Sequence, residues 1–135
     1  MAYPLAKIGG ISKQDAGTLA EAGVRTTEEL LEAAARPKGR AALAARTGIS
    51  EEALLGWANR ADLMRIAGLS AELAALLAAA GIATVPELKR QRPDRLAAAL
   101  RAANARRSLV RRMPGEAQCA RLIAAAKALP RVLSY

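Results

Sequence analysis

The sequence predicts an all-α protein, and three observations lead there. Ala dominates the composition, Phe is absent, and Tyr3, Trp57 and Tyr135 are the aromatic residues. Such a chain, poor in β-branched side chains, favours helix. Ser and Thr stand at regular places before apolar-patterned runs that Gly or Pro then ends, as helix caps and stops do. No segment alternates apolar and polar residues with the period of two that a half-buried strand needs. At 135 residues, 53% of them hydrophobic, the chain is long enough to bury a core. That core is built from small units, with Leu and Ile as the larger fillers.

Ser12 caps a helix over about 13–22, which Gly23 ends in the left-handed conformation. Thr26 caps a second over about 27–35, with Glu29 placed for a capping box. Pro37 and Gly39 break the chain before a third, about 38–46. The turn "TGIS" (47–50) leads to Ser50, the cap of a long helix over about 51–66. There Leu54, Trp57, Ala58, Leu63 and Ile66 share a face, which places Trp57 in the core. Truncating a fully buried Trp costs roughly 3–5 kcal/mol. Ser70 caps a helix over about 71–80, ended by Gly81, and Thr84 caps one over about 85–91 with Pro86 in its first turn. A further helix spans about 94–104, followed by a basic connector, "ARRSLVRRMPG", and a last helix, about 115–129, stopped by Pro130.

The second half repeats the first. With an offset of 58, residues 8–30 align with residues 66–88 at 11 identities in 23 positions without gaps. The chain thus reads as two units, 1–62 and 63–135, within one compact domain overall, sharing the helix at 51–66.

The charge is divided unequally. Residues 1–85 carry nine Lys/Arg and nine Asp/Glu, whereas residues 86–135 carry twelve Lys/Arg and three acids, so the whole net charge of +9 lies in the C-terminal part. Such asymmetry points to a polyanionic partner. In the connector, Arg106, Arg107, Arg111 and Arg112 flank Leu109–Val110, and guanidinium groups so placed can bridge phosphates. No aromatic residue interleaves with them, so stacking on single-stranded bases has no support.

Enzymatic chemistry is thin. With no His, the chain has no imidazole base or metal ligand, and no zinc spacing or P-loop occurs. Neither a metal nor a cofactor is expected. Glu28–Glu29 and Glu51–Glu52 fall in first turns of helices, where the helix dipole favours acids. The lone Cys119 reads as a buried small hydrophobe. The longest uncharged run, 14 residues from Leu73 to Pro86, is too short to span a membrane, and the N-terminus has no signal-peptide core. A soluble, cytoplasmic protein is expected.

The segments "LAKIGGISKQDAGTL" (5–19) and "LMRIAGLSAELAALL" (63–77) share the pattern L-x-x-I-x-G-h-S-x-x-x-A-x-x-L, where h is apolar. This resembles the helix-hairpin-helix motif of DNA repair and recombination proteins. From residue 5 to 129 the chain resembles a small bacterial helix-hairpin-helix family, domain of unknown function 4332. The resemblance implies duplicated helix-hairpin-helix units forming a compact multi-helix domain. It also implies backbone-directed contact with double-stranded DNA through Lys7, Gly10, Ser12 and Lys13 in the first unit, and Arg65, Gly68 and Ser70 in the second. Ser12 and Ser70 depart from the motif, which has a second glycine there. The second hairpin has no nearby downstream cation in sequence, so it also reads as purely structural. The expected function is a non-enzymatic, sequence-nonspecific DNA-binding module. The alternative is a protein-interaction adaptor that uses the same fold as a docking scaffold. The oligomeric state stays open.

Overall fold

The computed structural model describes residues 2–135. Among them the chain forms one 3-10 turn, Leu5–Lys7, and eight α-helices. These are α1 (Lys13–Glu21), α2 (Thr27–Ala33), α3 (Pro37–Thr47), α4 (Glu51–Leu63), α5 (Ala71–Ala79), α6 (Val85–Lys89), α7 (Pro93–Arg107) and α8 (Glu116–Ala128). The fold is all-α, and the one β-type pairing among the described residues is an isolated antiparallel bridge between Pro4 and Thr26.

The chain divides into two compact units, Met1–Asp62 with Arg131–Tyr135, and Leu63–Pro130. In the first unit the N-terminal segment is tied to the loop before α2. Thr27 N–H donates to the Tyr3 carbonyl (2.8 Å), Tyr3 N–H to Thr27 Oγ1 (3.0 Å) and Leu5 N–H to the Arg25 carbonyl (3.2 Å). These bonds satisfy Thr27, a buried polar residue that needs partners. Leu5, Ile8, Leu19, Leu30, Leu43 and Leu54 supply the apolar interior of this unit. Arg40 is also buried, and its guanidinium donates to the Ala34 carbonyl at 2.9 Å, next to the end of α2.

The last five residues group with this first unit, whereas the sequence reading assigns them to the second. Leu133 is buried, Ser134 N–H donates to the Ala35 carbonyl (2.8 Å), and the Tyr135 hydroxyl donates to Asn59 Oδ1 (2.6 Å). A buried apolar side chain with two anchoring hydrogen bonds offsets the entropy of ordering a short extended tail.

The second unit has a continuous core of Leu, Ile and Ala side chains from α5 to α8, with Cys119 fully buried inside it. Helix α8 packs on α6 and α7, and α7 packs on α5. Ala74, Ala97, Ala103 and Ala126 in this interior let the helices approach closely, while Leu76, Leu77, Leu88, Leu96 and Leu100 fill the remaining volume.

Several helix ends differ from the sequence reading. Helix α4 stops at Leu63, not near residue 66, because Ile66 N–H turns back to the Leu63 carbonyl (3.0 Å) and starts the next turn. The unit boundary lies at this helix end, with Asp62 in the first unit and Leu63 in the second. Helix α7 runs on to Arg107, so Arg106 and Arg107 belong to its last turn rather than to the connector. It ends at Ser108, a left-handed residue (φ 49°) whose N–H donates to the Asn104 carbonyl at 2.7 Å. The sequence offers no glycine as a stop there.

Trp57 departs from expectation. It is half-buried, while Leu54, Ala58 and Ala61 on the same helix are buried. Residues 54, 58 and 61 follow the three-and-four spacing of the core face, and 57 lies at its margin. We expect Leu54→Ala to cost about 2–5 kcal/mol and Trp57→Ala to fall below the roughly 3–5 kcal/mol of a fully buried Trp. Urea unfolding of the two variants measures both.

Candidate functional site

The two glycine turns adopt matching conformations. In the first, Ile8 N–H donates to the Leu5 carbonyl (3.0 Å) and Ile11 N–H to the Ile8 carbonyl (3.4 Å), with Gly10 at φ 88°. In the second, Ile66 N–H donates to Leu63 (3.0 Å) and Leu69 N–H to Ile66 (3.1 Å), with Gly68 at φ 83°. A positive φ of this size strains any side-chain-bearing residue, so both positions call for glycine. The correspondence continues downstream. Gly23 and Gly81 both have φ 89°, and Thr26 and Thr84 both accept from the N–H three residues on. The leading elements differ, because a single 3-10 turn precedes the first glycine turn and the full helix α4 precedes the second.

Each turn is closed by a serine. Ser12 Oγ accepts from Asp15 N–H at 3.0 Å and Ser70 Oγ from Leu73 N–H at 3.1 Å. The serine therefore occupies one of the amides that a helix start leaves without an intrahelical acceptor. The earlier amides of α1 and α5 lie at the positive end of the helix dipole, where a helix leaves N–H groups without intrahelical acceptors.

Lys7, Gly10, Ser12 and Lys13 are all exposed around the first turn. The structure adds a cation there that lies far away in sequence. Arg60, on α4, donates from Nη1 to the Gly9 carbonyl at 3.0 Å. A Cβ built on Gly9 would lie 2.6 Å from that Nη1, so a larger residue at position 9 would make the tip of the Arg60 side chain shift. In the second turn Ala67 takes the place of Gly9.

The second turn acquires cations by a different route. Gly68, Ser70 and Glu72 line a cleft of about 450 Å³ together with Leu109, Val110, Arg111, Arg112 and Gln118. The sequence shows no cation close downstream of Ser70, yet the fold brings the connector to it. Asn104 holds the connector in place. Its Nδ2 donates to the Val110 carbonyl (3.1 Å) and its Oδ1 accepts from Val110 N–H (3.0 Å). Leu109 and Val110 pack against the core, which leaves Arg111 and Arg112 exposed. Glu72 sets one acid against these two guanidiniums.

The remaining candidates are placed as follows. Arg106 and Arg107 are exposed at the end of α7. Arg65 is half-buried and donates to the Pro130 carbonyl at 3.2 Å, a contact that ties the start of the second unit to its end. Burial pushes the Cys119 thiol up, with Arg101 pulling the other way and Glu116 adding to the rise, so the thiol stays protonated and poorly nucleophilic. Among the described residues, no three His, Cys, Asp or Glu side chains stand together as a metal site, and no helix is long and apolar enough to cross a membrane.

Removing the cap hydroxyls tests this local account. Ser12→Ala and Ser70→Ala should each lower stability by about 0.5–2 kcal/mol. Gly68→Ala should cost about 1–2 kcal/mol through the left-handed backbone alone, since no atom stands near the added methyl. Chemical denaturation of the three variants gives these values.

No curated protein and no solved structure is significantly similar to the chain. One family model matches residues 9–129, from the first glycine turn to the end of α8. The chain therefore belongs to the family described as domain of unknown function (DUF4332).

Proposed function

We propose that the protein is a non-enzymatic module of two helix-hairpin-helix units that binds double-stranded DNA through the phosphate backbone, without sequence preference. One observation carries the reading: the second glycine turn and the connector arginines Arg111 and Arg112 line a single cleft. Amides at a helix start and guanidiniums are complementary to phosphate oxygens. Such contacts position a protein on a duplex and carry no base information.

The distribution of charge supports the same reading. The unit Leu63–Pro130 carries twelve Lys/Arg and four Asp/Glu, a net of +8, while the other unit carries nine and eight, a net of +1. The second unit is therefore the principal contact. The first turn, with Lys7, Lys13 and the Arg60 guanidinium, adds a weaker one. This weighting differs from the sequence reading, which favours the first hairpin because the nearness of the connector to the second is a tertiary fact.

Binding of duplexes over a salt series tests the proposal. Log affinity should fall linearly with log salt, by about 0.9 per phosphate neutralised. Arg111→Ala with Arg112→Ala should flatten that slope by up to about two without unfolding the protein, since exposed arginines contribute little to stability. Lys13→Glu should weaken all duplex sequences alike. A protein that binds no duplex at low salt, and whose capture of a protein partner survives the arginine changes, is instead the docking adaptor.

A further inference from the structure

Helix α7 carries a second set of cations that do not line the cleft. Arg95 and Arg106 are eleven positions apart in it. At 3.6 residues per turn that is three turns to within about 20°, so the two share a face about 16 Å apart along the axis. Ala98 and Ala102 lie between them on that face, and all four residues are exposed. Leu96, Leu100 and Ala103 point the other way, into the core. The outer face is thus a flat alanine floor with a guanidinium at each end.

The N-terminal end of this face is unusually basic. Lys89, Arg90, Arg92 and Arg95 are all exposed, around the corner between α6 and α7. The acid among them, Asp94, lies 3.6 Å from Arg92, in a pair that is 67% and 53% exposed. Arg92 is the N-cap of α7, makes no side-chain cap bond, and stands with Arg95 at the end where the helix dipole disfavours cations. Cations held against the local electrostatic preference, with one exposed acid beside them, are a mark of a surface shaped for an outside partner.

Resting on the DNA-binding reading, we infer that the outer face of α7 is a second contact surface for the same duplex, on which the backbone lies along the helix from the α6–α7 corner to the connector. Charge complementarity selects the occupant. Phosphates line one strand every 3.4 Å or so of duplex axis, so the distance from Arg95 to Arg106 spans about five base pairs. The alanine floor puts no long side chain between the backbone and the helix. The second unit then grips a stretch of duplex instead of a single phosphate.

The test is a salt series on a duplex of about 20 base pairs with four proteins: wild type, a corner variant (Arg90→Ala, Arg92→Ala, Arg95→Ala), the Arg111→Ala/Arg112→Ala variant, and a charge-matched control (Arg25→Ala, Arg121→Ala, Lys127→Ala). The corner variant should bind at least about tenfold more weakly at about 0.1 M salt, with the slope reduced by about two, and the control should keep the wild-type slope. Arg95→Lys should also keep it, which separates lost charge from lost structure. If the corner variant matches wild type while the Arg111/Arg112 variant has a reduced slope, the α7 surface is refuted and the DNA reading stands. Equal losses in corner variant and control show a diffuse charge effect and refute the surface as well. If wild type binds no duplex, or binds polyglutamate and no duplex, the DNA reading fails and the α7 surface with it.

Discussion

Two left-handed glycines, Gly10 and Gly68, are the constraint on which the structure depends. Each lets the chain turn within a few residues and enter a helix, α1 or α5. The apolar residue after each glycine is half-buried in the first turn (Ile11) and buried in the second (Leu69), and the serine after that takes one helix amide. Because the glycine sets the backbone and the serine sets the helix start, the direction of α1 and of α5 follows from three consecutive residues. The helices downstream build on that direction, ending again at left-handed glycines, Gly23 and Gly81.

The same local device is surrounded by different chemistry in the two units. At the first turn Arg60 reaches from α4 to a backbone carbonyl, and the residue beneath it is a glycine. At the second, a connector clamped by Asn104 brings two exposed arginines to the cleft. Most of the positive charge lies in the second unit, on α7, on the connector and at the corner before α7. The two turns thus share a backbone geometry but differ in their supply of cations.

The helices were legible in the sequence because their signals are local. Ser12, Thr26, Ser70 and Thr84 cap the helices they precede, and the glycines that follow α1 and α5, Gly23 and Gly81, take the conformation that glycine alone adopts cheaply. The end of α7 was not legible, because Ser108 enters the left-handed region without being a glycine and is held there by its bond to Asn104. Trp57 was misjudged because it lies at the margin of a face that period alone cannot bound sharply. At the candidate site, the glycines, serines and basic connector were visible in sequence. The meetings of Arg60 with Gly9 and of Arg111 and Arg112 with the second turn were not, since each joins residues tens of positions apart.

The central claim is that the second glycine turn and the connector act together on a phosphate backbone. Backbone amide chemical shifts followed by NMR, as a short duplex is titrated into the protein, test it directly. The account predicts that the largest changes fall on Gly68–Glu72 and Ser108–Arg112, with smaller ones around Gly10 and Lys13. Changes concentrated on α2 and α3, or no saturable change at low salt, contradict it.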